Sequence, residues 1–246
     1  MYNHLVRVSA GWSKSRGAHP VPAIKKRTRK RRDGPPSPLQ RERIVATALA
    51  LVDREGLKAL SMRRLGAELG VDPMAVYYHI PNKEALLDAI VEAVMAEIDL
   101  SADHAADPPE ERVIRAARAY RDVLLAHSHA LPIVLGRGPA TAAALRPVEL
   151  LIGILRDAGL PPAEAFSGMN TIAAAVRGFV GMIASGGDNA PAPDAIEALD
   201  RSLPAGEFPY LREAISYACE FGNRSFDFGI RALARGLIAE AQGPAS

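Results

Sequence analysis

A short stretch between residues 61 and 83 combines cationic, aromatic and hydrogen-bonding side chains at close spacing. Arg63 offers a planar fork of donors that matches O6 and N7 of guanine, whereas Lys83 offers a compact charge suited to phosphate. The chemistry of these groups is recognition of nucleic acid rather than bond breaking. The sequence contains no G-x-S-x-G elbow, no G-x-x-x-x-G-K phosphate loop and no H-E-x-x-H pair. We therefore expect a binding protein without catalytic residues.

Two short helices joined by a glycine turn must hold these side chains. Ser61 is a good N-cap for a helix over 62–69, and Gly70 can adopt the left-handed conformation that ends it. Asp72 and Pro73 then suit the N-cap and the first position of a second helix. Helix, glycine turn and helix is the arrangement that places a recognition helix in the DNA major groove.

Helices on either side complete a three-helix unit. Apolar residues at helical spacing predict a helix from Leu39 to about Gly56, and Asn82 is the expected N-cap of a helix over 83–98. The predicted core of the unit consists of Ile44, Leu51, Leu65, Leu69, Val76 and Leu86.

The string VYYHIPNKEALL closely resembles the signature of the TetR family of transcriptional repressors, and the resemblance covers about residues 39–100. It implies an all-α protein, with an N-terminal three-helix helix-turn-helix (homeodomain-like) DNA-binding domain and a C-terminal helical ligand-binding and dimerisation domain. It also implies that Tyr77 and Lys83 hold phosphates, that Arg63 reaches a guanine, and that Tyr78 or His79 lies at the groove. The residues expected to bind DNA are Ser61, Arg63, Asp72, Pro73, Met74, Tyr77, Tyr78, His79 and Lys83.

The formal net charge of +2 is unevenly distributed. Residues 1–38 hold ten Lys and Arg against one acid, a local charge of +9, which leaves −7 for the rest of the chain. We expect this basic extension, with its cluster KKRTRKRR, to be disordered and to contact phosphates or the minor groove; a solvated or expression-related tail is the alternative. The predicted domains are 1–38, a DNA-binding domain over 39–100, and a ligand-binding and dimerisation domain over 101–246.

Composition argues against membrane and disulfide-rich classes. The chain is 48% apolar, yet it has no uninterrupted apolar run of about 18 residues and no signal-peptide core near its start. We therefore expect a cytoplasmic protein that does not enter the membrane. The single cysteine, Cys219, cannot form an intramolecular disulfide and is interpreted as a buried small apolar residue.

The sequence also predicts a helical second domain. Residues 107–110 predict a proline-rich capping box that opens a helix to about His127. His127 and His129 are two apart and face different sides of a helix, so we expect capping or solvent exposure rather than a shared metal ion. Further helices are predicted near 139–158, 162–185 and 209–241, with a Gly, Pro and Asp-rich loop at 186–194.

Two of these helices carry apolar stripes that fit a homodimer. Either stripe can fill an intrachain core, but the string FDFGIRALARGLIA also resembles the terminal helix of TetR-family ligand domains. Together these features favour dimerisation through 162–185 and 209–241, and a dimer fits operators with two half-sites. The stripes are Met169, Ile172, Val176, Phe179 and Ile183 on the first helix and Phe226, Ile230, Leu233 and Leu237 on the last. On the first helix, Ala173, Ala174, Gly178 and Gly181 are expected to permit close approach of a second backbone.

The string YRDVLLAHSHALPIVLG aligns with tetracycline repressors, whose ligand is a magnesium-drug chelate. Ala116, Val134 and Met182 stand where that resemblance places a drug-binding asparagine, a metal-binding histidine and a glutamate from the partner subunit. Since imidazole and carboxylate are missing, we expect no magnesium, no cofactor and no tetracycline specificity. A mostly apolar pocket for another small molecule is expected instead, with core packing as the alternative for its apolar members. Its predicted lining is Tyr120, Val134, Arg137, Phe166, Met169, Asn170, Ala173 and Arg177.

These features predict a ligand-responsive transcriptional repressor that binds a palindromic operator as a homodimer and is released by a small-molecule effector of unknown identity. A transcriptional activator or co-repressor-dependent regulator of the same fold is the alternative. A protein-interaction module that retains the helix-turn-helix without binding DNA is the less favoured third interpretation.

Overall fold

The computed structural model describes residues 39–186, 193–204, 206–215, 217 and 222–241. The predicted basic extension, residues 187–192 of the predicted loop and Cys219 lie outside these residues. The described residues form eleven α-helices and contain no strand, which confirms the all-α class. The helices are α1 (Arg41–Glu55), α2 (Met62–Leu69), α3 (Pro73–His79), α4 (Lys83–Ala96), α5 (Pro109–Ala126), α6 (Leu131–Gly136), α7 (Ala142–Asp157), α8 (Pro162–Gly186), α9 (Pro193–Ser202), α10 (Pro209–Ile215) and α11 (Asn223–Ala241).

Side-chain caps begin α2, α3 and α4 at the residues that the sequence indicates. Ser61 Oγ accepts a hydrogen bond from the backbone N–H three residues later at 3.1 Å. Asp72 Oδ1 accepts from the N–H two residues later and Asn82 Oδ1 from the N–H three residues later, each at 2.8 Å. Gly70 ends α2 with φ of 71°, the left-handed conformation that glycine adopts without strain. These caps fix the lengths of the helices around the turn.

The N-terminal unit has the predicted core. α1 packs against α2 and α4, and Val76 is the buried residue through which α3 is anchored. Because burial of one such side chain stabilises a fold by about 1.5–3 kcal/mol, this core sets the positions of α2 and α3. All six predicted core residues are buried: Ile44, Leu51, Leu65, Leu69, Val76 and Leu86.

The C-terminal unit is a helical bundle built on α5, α7, α8 and α11. α5 packs against α8 and α11, and α7 packs against α8. α4 belongs to both units, since it packs against α1 on one side and against α7 on the other. Ion pairs join α5 to α11, with Arg118 bound to Asp227 and Glu110 bound to both Arg231 and Arg235. No described helix is long and apolar enough to cross a membrane.

Two predictions about the C-terminal helices are wrong, and two short helices, α6 and α9, were not predicted. The capping box at 107–110 does not form, because Pro108 occupies the N-cap position and the Asp107 carboxylate binds Arg115 instead. The helix predicted over 209–241 is two helices, α10 and α11. A further helix, α9, occupies residues that the sequence analysis left without an element, and its last carboxylate binds the α10 side chain Arg212.

Most of the two apolar stripes fill the core of a single chain rather than a dimer interface. Met169, Ile172 and Val176 of α8 are buried, as are Phe226 and Ile230 of α11. The rings of Phe179 and Phe226 lie 4.9 Å apart between their centroids, so the two helices meet through these stripes inside one subunit. The prediction that the stripes form the interface is therefore wrong for these buried members.

Other faces of the same two helices remain exposed. On α8, Ala174 and Gly178 lie one turn apart on the surface, and a Cβ at Gly178 would have open space around it. On α11, the ring of Phe228 is 76% exposed. These outward faces are available to a second subunit, and the α8 face includes Ala174 and Gly178, two of the small residues expected to permit close approach.

Candidate DNA-binding surface and ligand cavity

The turn between α2 and α3 is built on a close backbone approach. A Cβ at Gly66 would lie 3.1 Å from the Val71 carbonyl oxygen and 3.2 Å from the Pro73 nitrogen. Contacts this short leave no room for a larger side chain unless the backbone moves. Gly66 thus lets α3 lie against α2 at the angle that presents its outer face to solvent.

The outer face of α3 is exposed and aromatic. Met74 and Tyr78 are 71% and 87% exposed, which is unusual for side chains of this size unless they meet a partner. Tyr77 is 40% exposed, so it is not the buried core aromatic that was the alternative interpretation. His79 is half-buried and packs edge-on against the Tyr78 ring, with 5.3 Å between the centroids.

Arg63 extends this surface from α2. Its side chain is exposed and makes no hydrogen bond or ion pair with the residues that the structure describes. The neighbouring Arg64 differs, because its guanidinium binds the Glu55 carboxylate at 3.0 Å. Arg63 therefore keeps all its donors for an external acceptor such as a base edge.

The remaining predicted DNA-binding residues have structural roles as well. Ser61 Oγ and Asp72 Oδ1 accept hydrogen bonds from backbone N–H groups as helix N-caps. Pro73 is half-buried at the turn beside Gly66. Lys83 Nζ donates to the Leu60 carbonyl at 2.9 Å. That bond holds the ammonium group near the start of α2, so Lys83 positions a positive charge instead of leaving it to move freely in solvent.

All eight residues predicted to line a pocket meet at one cavity. Its volume is about 360 Å³, and its walls come from α4, α5, α6, α7 and α8. Apolar residues that the sequence analysis did not single out complete the walls, because periodicity marks them only as buried. They include Val91, Met95, Leu100, Leu145, Val148 and Leu151.

The polar groups of the cavity are few and cationic. Burial raises the pKa of Tyr120 above its ordinary value, although the nearby Arg177 guanidinium works in the opposite direction. Arg137 is paired with Glu84 and Asp88 of α4. Asn170 donates to the Phe166 carbonyl of its own helix at 3.0 Å. No group of three or more potential metal ligands exists among the described residues.

His127, for which the sequence predicted capping or solvent exposure, joins the N-terminal unit to the bundle. The His127 side chain is mostly buried; its Nδ1 lies 2.8 Å from the Asp53 carboxylate of α1 and its Nε2 2.8 Å from that of Glu97, just after α4. His129 Nδ1 lies 2.7 Å from the Asp53 carbonyl. The expectation of capping or exposure is wrong for the His127 side chain, because both carboxylates come from distant parts of the chain.

An exposed helix-turn-helix surface and a buried apolar cavity in one all-α chain define a ligand-responsive, DNA-binding transcriptional regulator. Comparison with known families agrees on both halves. Residues 44–90 match the model of bacterial regulatory proteins of the tetR family, and residues 104–241 match the tetracyclin repressor-like C-terminal domain. The chain belongs to the TetR family. Regulators of this family are DNA-binding proteins without enzymatic activity.

Individual relatives match over most of their length. The tetracycline repressor protein class A from transposon 1721 of Escherichia coli is 32% identical over 201 residues, which cover 81% of this chain and 90% of that protein. Apo ActR from Streptomyces coelicolor superposes with a TM-score of 0.75 and 31% identity, covering 85% of this chain and 99% of its own. Its complex with actinorhodin gives the same TM-score at 30% identity, with 85% and 100% covered. BioQ bound to its double-stranded DNA operator gives 0.56 at 26% identity, with 82% and 99% covered.

Proposed function

We propose that this protein is a homodimeric repressor that binds a palindromic operator and leaves it when a small molecule enters the cavity. The observation that carries the proposal is the position of α4. Its first residue, Lys83, is bonded to the start of the helix-turn-helix, whereas Val91 and Met95 further along α4 line the cavity. One rigid helix thus connects the two candidate sites. We place the protein in the cytoplasm.

On the DNA side, Arg63 and the outer face of α3 supply the contacts. Arg63 reads a guanine edge, Tyr77 and Lys83 hold phosphates, and Met74 and Tyr78 contact the groove. This assignment follows from the exposure of these side chains and from the free donors of Arg63. The solved complex of BioQ with its double-stranded DNA operator supports DNA binding by a chain of this fold.

On the ligand side, the cavity suits a mostly apolar molecule and not a magnesium chelate. None of its lining residues is a carboxylate or an imidazole, and hard cations need oxygen ligands. The ligand can shift the DNA-bound state only through its difference in affinity for the two states, and by reciprocity the operator weakens ligand binding by the same factor. The actinorhodin complex of ActR supports a role of this domain in binding small organic molecules.

Selection of bound sequences from a random DNA pool tests the proposal. The purified protein is used at near-physiological salt, since phosphate attraction alone gives binding at low salt. We expect a recovered palindrome, and transcription in vitro from a promoter carrying it should fall when the protein is added. Binding without a consensus would attribute DNA affinity to the basic extension and would contradict the operator proposal. A rise in transcription would instead establish an activator.

A further inference from the structure

The charge of the cavity is unbalanced. Its lining includes two arginines, Arg137 and Arg177, and no aspartate or glutamate. The rest of the wall is apolar apart from Tyr120 and Asn170 and the backbone. A ligand that enters this cavity therefore meets positive charge in a setting where water is scarce, and electrostatic interactions are stronger there than in solvent.

The two arginines are in different situations. Arg137 already has carboxylate partners, since it binds Glu84 and Asp88 at the first turns of α4. Arg177 has no carboxylate partner among the residues that the structure describes, although it is half-buried on α8. The Tyr120 hydroxyl lies near its guanidinium in the same cavity wall. A half-buried guanidinium without a counter-charge costs free energy that a bound anion would offset.

The Tyr120 hydroxyl supplies a second donor beside Arg177, since both side chains line the cavity. Arginine has only donors and cannot accept the phenol proton. That proton is therefore free to point away from Arg177. A ligand oxygen placed between the two side chains would receive one hydrogen bond from the guanidinium and one from the hydroxyl.

We infer that the effector is a largely apolar molecule carrying one acidic group, a carboxylate or a phenolate, which binds between Arg177 and Tyr120. The inference rests on the proposed function, because it requires the cavity to be the effector site. It narrows the effector to organic anions and excludes cationic amphiphiles, which the Arg177 guanidinium would repel.

Two fluorescent probes with the same ring system test the inference. 1-Anilinonaphthalene-8-sulfonate carries a sulfonate, and N-phenyl-1-naphthylamine is its neutral counterpart. The measured quantity is the ratio of their dissociation constants in wild-type protein and in variants. We expect Arg177→Met, which keeps most of the apolar stem, to weaken the anionic probe by roughly tenfold relative to the neutral one. Arg177→Lys should restore part of that preference.

Arg146→Met is the matched control, because this arginine is exposed on α7 and does not line the cavity. The ratio should stay near its wild-type value in that variant, and thermal unfolding should show that both variants are folded. An unchanged ratio in Arg177→Met, or an equal loss of preference in Arg146→Met, would overturn the inference.

Ala173→Phe locates the binding. This substitution fills the cavity, so both probes should lose affinity. Probe binding that survives it, or no binding to the wild-type protein, would overturn the cavity assignment and the inference together. An unchanged ratio with binding inside the cavity would overturn the inference alone and leave the proposed function standing.

Discussion

Arg63 and Lys83 place their charges on the DNA-binding surface in different ways, and their replacement should have different consequences. The Arg63 guanidinium is exposed and unpaired among described residues, whereas Lys83 Nζ is bonded to the Leu60 carbonyl. We expect Arg63→Ala to cost roughly 1–3 kcal/mol of operator binding and to relax the preference at one base position. Lys83→Ala should weaken binding to all sequences alike. Competition assays with operator variants measure both effects.

Arg64 provides the control for this pair. It is adjacent to Arg63 but already bound to Glu55, so Arg64→Ala should change operator binding less than Arg63→Ala does. If Arg63→Ala lowers affinity equally for every base at every position, the base-reading role of Arg63 is wrong.

The role of a side chain is easiest to predict from the sequence where its residue type and position allow only one local hydrogen-bonding role. Ser61, Asp72 and Asn82 stand just before helices and cap them, because a short polar side chain there satisfies free backbone donors. The partners of His127 could not be predicted, since Asp53 lies 74 positions away in the chain. The same holds for Arg137, whose partners come from α4.

Among elements, the junction of α1, α4 and the turn after α5 should respond to pH. Burial alone would lower the pKa of His127, but hydrogen bonds to Glu97 and Asp53 outweigh it and raise the pKa above its ordinary value. Both ring nitrogens face carboxylates, so the imidazolium is the form that fits. Since the folded pKa is the higher one, this stabilisation is complete below the unfolded value of about 6.5 and is lost as pH rises through the folded pKa.

Urea unfolding of wild-type protein and His127→Gln between pH 5.5 and 8.5 measures this effect. We expect the free energy of unfolding of the wild type to exceed that of His127→Gln by the largest amount near pH 5.5 and by a smaller amount at pH 8.5. His129→Gln is the control, because its ring contacts a backbone carbonyl and neither carboxylate. A stability difference that stays constant over this range would show that His127 acts by packing alone.

The crossing of α2 and α3 depends on the absence of a side chain at Gly66. Gly66→Val should destabilise the protein by about 1–3 kcal/mol, because its extra atoms meet backbone rather than mobile side chains. Ala67→Val is the control, since it introduces the same β-branched side chain at an exposed position of the same helix. Thermal unfolding compares the two. Helix propensity alone favours Gly66→Val over Ala67→Val, so a loss at Gly66 no larger than that at Ala67 would contradict the role of the crossing.

The elements themselves were predictable in proportion to their local signals. α1 to α4 have caps, a glycine turn and regular apolar spacing, and the structure matches them closely. The six-residue helix α6 was not predicted. The region after residue 186 has weaker signals, and there α9 was missed and one predicted helix became two. Apolar periodicity on α8 and α11 identified the faces that are buried. It did not show whether helices of the same chain or of a second subunit bury them, because the same kind of apolar surface is buried in either case.

At the scale of the whole molecule, dimerisation should depend on the outward face of α8. Ala174 and Gly178 are exposed there, and small residues let two helices approach closely. Gly178→Glu should convert the dimer to monomers, because a carboxylate would be buried without a partner. Sedimentation equilibrium measures the change, and operator affinity should fall with it. Ala50→Glu, on the exposed side of α1, should leave the protein dimeric.

α4 also limits how this protein can be recombined with its relatives. Lys83 is tied to the helix-turn-helix, and Val91 and Met95 form part of the cavity wall. A chimaera cut after Met95 but before residue 104, still between the two matched regions, would separate the cavity-facing end of α4 from its own bundle and pair it with a foreign one. Exchange of sensing domains to make new biosensors therefore needs the cavity-facing residues of α4 to travel with the bundle. The segment that must be transferred to carry ligand sensing therefore begins within α4, before the predicted boundary between the two domains.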